Sequence, residues 1–506
     1  MLSLIHRSPG GTIEFMRNLL LALLLLASPF LRSDEGRFDP PLKGAYLGVS
    51  LGKISAGLVV LKIEDNSAAR AAGLRRGDVL VRFGHLDELP HMSVRQLWEA
   101  LSKLPGRAAY ELAVLRDERK VLLEITPDPA LVRDARALAR RLKDHRLFTA
   151  LKDKKALLGN VDTDLIAAVR RSRSTQSAYE ALNEVLGRFG ISHTAVIPPW
   201  SYASMLGKGS DGKPVFHLGL TIQKVAGDTG ERFFVRELMY GGGAREAGLR
   251  IGDELVAVNG LPFSTSPRRT LAGYEARHAM YTIQVDTEES VRIDYRREAG
   301  GAVRSLAIAA DRASTAIDST RKSIRMLGAK ARGLGYIHLW NLLSPEIVSI
   351  FEKALRKELG SARALVIDLR GRGGQVPVLK AIAKHIIADG RPTALLIDDL
   401  TRSAKEIVAY MLKGKKGITL IGKTTAGAVR AAGYITFEDR TRVMIPVNVR
   451  MRIESLTGGI DLEGRGVSPD AVVEFHLPFL AGRDPILERA ISLLHAGAPK
   501  PARRRI

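Results

Sequence analysis

The chain has 506 residues, enough for three or more domains with real apolar cores, and no cysteine, which excludes disulfides, thiolate metal sites and lipid attachment through an N-terminal Cys. Its formal charge is +23. No zinc-ligand spacing, RNA-binding aromatic signature or concentrated basic arm accompanies that charge, so specific nucleic-acid binding is not expected. A basic surface facing an anionic envelope is the alternative partner.

Met16-Arg-Asn18 leads into a run of about 13 mostly apolar residues, Leu19 to Leu31, followed by a polar exit. That pattern reads as a signal peptide or a retained anchor over residues 1–38, after an over-long start, and predicts export to the periplasm or cell envelope.

Residues 44–128 read as a compact β-rich module. Tyr46 to Ser50, Ala56 to Ile63 and Val79 to Phe83 are strands, Ser93 to Leu101 is a helix, and Leu112 to Ile125 completes the sheet. A second copy fills residues 213–310: Gly241 to Gly260 repeats Asn66 to Gly84 around a shared A-R-x-A-G-L-R-x-G-D core. Both copies resemble PDZ domains. The resemblance implies capture of an extended chain as an added strand, its terminal carboxylate held by backbone N–H groups. The contacts then fall on Leu47, Gly48 and Val49 in the first copy and on Leu218, Gly219 and Leu220 in the second, the second copy ranking ahead of the first.

Residues 129–212 are predicted to be largely helical. Leu131, Ala135, Leu138 and Leu142 form one apolar stripe, and a helix over Ser177 to Phe189 stops at Gly190. Ile191 to Ile197 then alternates as a strand and carries Ser192 and His193. Residues 311–333 read as a polar connector and 498–506 as a basic tail.

Residues 334–497 alternate strands with helices, which predicts right-handed βαβ crossovers and a largely parallel sheet. Gly335 to Trp340, Ala362 to Leu369, Thr393 to Asp398 and Ile418 to Ile421 are the strands. Tyr434 to Phe437 and Arg442 to Val447 form an antiparallel pair turning at Glu438-Asp439, and Asp484 caps a terminal helix. Ser403 falls at a helix N-terminus, where backbone N–H groups and the helix dipole favour developing negative charge. Ser403-Ala-Lys-Glu406 is equally a capping box, which needs no chemistry.

SAKEIVA at Ser403, IGKTTAG downstream and DLRGRGG at Asp368 to Gly374 together resemble the tail-specific (C-terminal processing) serine proteases, nearest the clade with a tricorn-like core. This implies a multidomain α/β protein: a crotonase/ClpP-like βαβ protease core, two β-rich PDZ-like domains and a helical segment. The Ser–Lys dyad of many relatives is missing, because Ala428 stands at the Lys position of the TTAGA turn, and neither Lys405 nor Lys423 matches it. The resemblance instead implies Ser403 as nucleophile, His193 as base, Glu463 of the LEGRGVSPD signature as the orienting carboxylate, and Gly373 with Ala404 as oxyanion hole. Asp461 competes with Glu463, Ser192 is an auxiliary hydroxyl, and His338 is a rival base inside a strand. Gln375 stands where the family has a third Gly. No cofactor or metal is expected, and the partners are polypeptide substrates. The alternative is a catalytically silent binding protein on the same scaffold.

Overall fold

A computed structural model describes residues 42–206, 215–227, 230–273, 280–310, 315–328, 331–437, 440–447 and 456–496. The leader, the Glu438-Asp439 turn and the basic tail lie outside the described residues, among which no helix is long and apolar enough to cross a membrane. The chain divides into two units, Met1–Arg136 with Ile166–Ala178, and Ala137–Leu165 with Tyr179–Ile506.

The first unit is built on a sheet of five antiparallel strands in the order Val49–Ile54, Gly57–Ile63, Val79–Phe83, Tyr110–Arg116, Arg119–Ile125. Ser93 starts the helix Val94–Leu101 with a reciprocal capping box: Gln96 N–H donates to Ser93 Oγ and Ser93 N–H to Gln96 Oε1. The helix buries Leu97 and Leu101 and packs against Val49–Ile54, which is an edge strand. Asp78, almost fully buried, accepts two hydrogen bonds from the Arg116 guanidinium at 2.8 and 2.7 Å and one from Arg75 N–H at 2.8 Å. A carboxylate so buried is tolerable only when paired.

The second unit begins with helices, among them Val161–Arg171 and Thr175–Gly187 in part, and then carries the same module in a second edition. Asp253 repeats Asp78 bond for bond, accepting from Arg297 Nε, Arg297 Nη2 and Arg250 N–H at 3.0, 2.9 and 2.9 Å. Ala244 N–H donates to Leu218 O as Ala69 N–H does to Leu47 O. The copies diverge after the third strand. Where the first has its flanking helix, the second runs through Arg269–Leu271 to the strand Met280–Ile283, which pairs with Leu220–Gly227 at Tyr281↔Ile222. The edge that an incoming peptide would use is already filled by the chain itself.

The remainder of this unit is the α/β core. Its sheet runs Arg325–Met326, Leu334–His338, Ala364–Asp368, Thr393–Ile397, Ile418–Gly422, Ala471–Val472, parallel except for the first pair. Helices Glu346–Arg356, Val376–Asp389 and Ala404–Leu412 bury their apolar residues against one face, and Pro485–Ala496 covers the other. Among the described residues between 315 and 328, Thr315 caps a helix, Ala316–Ser323, and Arg325–Met326 extends the sheet. The predicted antiparallel pair is present as Ala432–Thr436 and Arg442–Pro446, and it gains a third strand, Ala195–Ile197, from the far end of the helical segment.

Candidate active site

Ser403 follows a turn built on Asp398, whose Oδ1 accepts from the N–H groups of Leu400 and Thr401. It then precedes the helix Ala404–Leu412 with φ 55° and ψ −126°, a backbone conformation that costs a non-glycine residue about 1–3 kcal/mol. Surrounding bonds enforce it. Ser403 N–H donates to Ala428 O at 2.9 Å and to Glu406 Oε2 at 3.1 Å. The buried Glu406 carboxylate also accepts from Gly427 N–H, Ala428 N–H and Thr425 Oγ1, at 2.6, 2.8 and 2.6 Å. The capping-box glutamate is thus real, and it welds the serine turn to the TTAGA turn. Burial pushes its pKa up while those donors oppose the shift.

Gly373 abuts this turn. A Cβ there would lie 2.6 Å from Ser403 Cβ, so only glycine lets the two segments meet. Its carbonyl accepts from Leu342 N–H at 3.0 Å, and Gln375 N–H returns to Leu342 O at 2.8 Å. Gln375 sits at φ −108°, ψ 146° as N-cap of the next helix, an extended conformation open to any residue. The departure from glycine there costs the backbone nothing. Ala404, first in its helix, has no intrahelical acceptor for its N–H.

His193 is not on a strand. After Gly190 (φ 67°) the chain bends, His193 takes φ 55°, and pairing begins only at Ala195. Two distant side chains impose this. Asn183 brackets Val196, accepting from its N–H at 2.6 Å and donating to its carbonyl at 3.0 Å. Glu463 Oε1 accepts from Ser192 N–H at 3.0 Å, and Oε2 accepts from Ser192 Oγ at 3.0 Å. Ser192 Oγ lies in turn 3.0 Å from His193 Nδ1. Since that hydroxyl gives its proton to the carboxylate, it accepts from the imidazole, which places the ring proton on Nδ1. Glu463 also receives Val429 N–H at 3.0 Å and Arg430 N–H at 3.3 Å. Asp461 is half exposed and pairs with Arg430 at 3.2 Å, so Glu463 is the carboxylate facing Ser192.

Ser403, His193, Gly373 and Ala404 line one cleft of about 490 Å³, with Gln375 and Tyr434 also on its walls. Glu463 and Ser192 stand behind His193. The rival groups face elsewhere. His338 is buried with Nε2 3.2 Å from Arg370 O, and burial lowers its pKa to about 4. Lys423 donates to Phe475 O and lies over the Phe475 ring. Lys405 is wholly buried and bonds two carbonyls. Among the described residues no His, Asp or Glu cluster could hold a metal ion.

Of the peptide-contact candidates, Leu47 and Leu218 are fully buried, and Gly48 and Gly219 supply the positive-φ turns before their strands. Among the described residues, nothing pairs with the outer edge of Val49–Ile54 in the first copy. In the second, Leu220 O accepts from Thr282 Oγ1 at 2.9 Å and Ile222 pairs with Tyr281, so the edge of the strand that follows Gly219 is occupied by the chain itself.

Residues 386–473 match the model of Peptidase family S41, and residues 45–126 match that of the PDZ domain. Over 337 residues the chain is 23% identical to carboxyl-terminal-processing peptidase 1, chloroplastic, of Arabidopsis thaliana, covering 61% of this chain and 64% of that protein. Over 329 residues it is 23% identical to the chloroplastic C-terminal processing peptidase of Tetradesmus obliquus, covering 58% and 68%. Among solved structures, the photosystem II D1 C-terminal processing protease superposes with TM-score 0.40 at 18% identity, over 70% of this chain and 98% of that one. The tricorn protease gives 0.38 at 14%, over 88% and 46%. The alignments span only about two thirds of the curated relatives' length. By sequence the chain is similar to the C-terminal-processing peptidases, with a core segment that matches Peptidase family S41 and a first β-rich module that matches the PDZ domain.

Proposed function

We propose that the chain is a serine endopeptidase that cleaves polypeptides, exported through its Leu19–Leu31 leader to the periplasm or cell envelope. The observation that carries this is the hydrogen-bonded run Glu463–Ser192–His193, which ends in the cleft where Ser403 meets Gly373. A serine hydroxyl needs a base near neutral pH. With its proton held on Nδ1, His193 offers Nε2 to take the Ser403 proton as Oγ attacks the scissile carbonyl. Gly373 and Ala404 N–H groups then receive the oxyanion. The imidazolium returns the proton to the leaving amine, and water, activated by the same ring, releases the acyl group from Ser403. Glu463, acting through Ser192, offsets the charge that develops on the ring.

Substrate chains are recruited by the first PDZ module, as a strand added to Val49–Ile54 beside the helix Val94–Leu101. Recognition of a C-terminal segment accords with the names of the relatives, and the second module serves as a fixed wall of the core.

The test is labelling of the purified chain with a serine-reactive phosphonate followed by peptide mapping. The expected adduct is on Ser403 and is absent from Ser403→Ala and His193→Ala. Intact, folded wild type that takes no label would replace this reading with a silent binding protein.

A further inference from the structure

Lys405 is two residues beyond Ser403, in the first turn of the same helix, and none of it reaches solvent. It takes no part in the cleft lining. A lysine ammonium in such a place loses its hydration, and burial brings its pKa down to about 7. Asp368, Glu237 and Asp398 oppose that shift from nearby, while Arg372 reinforces it. Both of its side-chain hydrogen bonds go to backbone carbonyls, Trp340 O at 3.1 Å and Arg370 O at 2.9 Å.

Those two carbonyls belong to the segments that leave the strands Leu334–His338 and Ala364–Asp368. The second segment carries Gly373 three residues after Arg370. Arg370 is held from its other side too: its guanidinium bonds Asp368 and Asp484, and its carbonyl also meets His338 Nε2. The two segments are zipped by Leu339 N–H to Asp368 O, Leu342 N–H to Gly373 O and Gln375 N–H to Leu342 O. The oxyanion hole proposed above has one half, Ala404 N–H, on the helix and the other, Gly373 N–H, on this loop. Lys405 is the helix residue whose side chain grips the loop.

We infer that Lys405 is a positioning residue of the oxyanion hole, its ammonium tying the Ser403 helix to the Trp340 and Arg370 carbonyls so that the Ala404 and Gly373 N–H groups stay at a fixed separation. The inference rests on the assignment of Ser403 and Gly373 made above. An ammonium suits the task because its charge-assisted bonds to carbonyls are roughly twice as strong as neutral ones. Misplacing an oxyanion donor by about 1 Å is enough to lose about 100-fold in rate.

The experiment compares wild type with Lys405→Met, a substitution of similar length without charge or donors, in peptide hydrolysis and in phosphonate labelling. The expected result is kcat and labelling rate lower by about 10- to 100-fold with KM within about twofold. Equal rates in a wild type that does label overturn the clamp and leave the Ser403 assignment standing. Total loss of labelling, matching Ser403→Ala, overturns it in favour of Lys405 as the base. Wild type that takes no label removes both readings together. If Lys405→Met does not fold, Lys405→Leu, which also lacks charge and donors, is read the same way: lowered kcat at constant KM supports the clamp, and unchanged kcat sinks it.

Discussion

Ser192 Oγ donates to Glu463 Oε2 at 3.0 Å and stands 3.0 Å from His193 Nδ1, so a third side chain links the carboxylate to the imidazole. The arrangement separates two duties of Glu463. One is electrostatic and passes through the hydroxyl. The other is architectural, because the same carboxylate collects the N–H groups of Ser192, Val429 and Arg430. Ser192→Ala breaks the first duty alone and is expected to lower kcat by about 10- to 100-fold with little change in melting temperature. Glu463→Ala breaks both. It leaves several partly buried donors without an acceptor, at about 1–3 kcal/mol each, so it loses activity and also several degrees of melting temperature. Equal thermal stability of the two variants would show that the carboxylate does not hold this bend.

Gly373 and Gln375 make opposite predictions two residues apart. Gly373→Ala drives a methyl to within 2.6 Å of Ser403 Cβ, so the loop or the serine turn must shift. An activity loss of about 100-fold or more is expected, with the phosphonate reaction slowed in parallel. Gln375→Gly restores the family residue, yet the backbone there is extended and makes no use of glycine. Its kcat/KM should stay within about threefold of wild type, since no donor is moved. A large gain would mean that the Gln375 side chain obstructs the cleft.

What could be read from the chain alone follows from how local each signal is. The parallel core, the Ser403 helix and both editions of the Asp78/Asp253 turn rest on short-range pattern, and each stands within a few residues of its expected place. His193 does not, because its bend is set by Glu463, far along the chain from the Ser192 N–H it holds, whereas Ile191 to Ile197 alternates like a strand. Residues 311–333 read as a connector since their polarity hides a helix whose buried face is Ser319, Thr320 and Ser323 rather than apolar side chains. The filled edge of the second PDZ-like copy is invisible for a related reason: Met280–Ile283 looks like any strand until its partner is known. Glu406 is legible as a capping residue, but its bonds to the TTAGA turn are not.

The difference between the two β-rich copies is open to direct test in the intact chain. A peptide with a free C-terminus and a photoreactive residue near its end should cross-link around Leu47 to Ile54 and Val94 to Leu101, where no strand among the described residues pairs with the edge. Adducts at Leu218 to Leu220 are not expected, because Tyr281↔Ile222 pairing and the Thr282 Oγ1 bond to Leu220 O occupy that edge. Labelling confined to the second copy would require Met280–Ile283 to detach, and would return recruitment to that module.

His338 supplies a pH dependence of stability that is independent of catalysis. Burial holds its folded pKa near 4, with Lys405 and Arg370 pushing the same way and Asp368 opposing, against about 6.5 in the unfolded chain. Between those values the unfolded state binds a proton that the folded state refuses, so unfolding takes up a proton and stability falls as pH falls. At about 1.4 kcal/mol per pKa unit, the loss between pH 6.5 and pH 4 is roughly 3 kcal/mol. Lys405 adds nothing in this window, because below its folded pKa of about 7 both states carry its proton. Urea unfolding at a series of pH values should therefore show wild type losing roughly 3 kcal/mol more than His338→Phe over the acid range. The variant also removes the Nε2 contact with Arg370 O, which lowers its stability equally at every pH and leaves the slope as the informative quantity. Parallel slopes in the two proteins would mean that His338 accepts its proton while folded, and that the Asp368 carboxylate outweighs the burial.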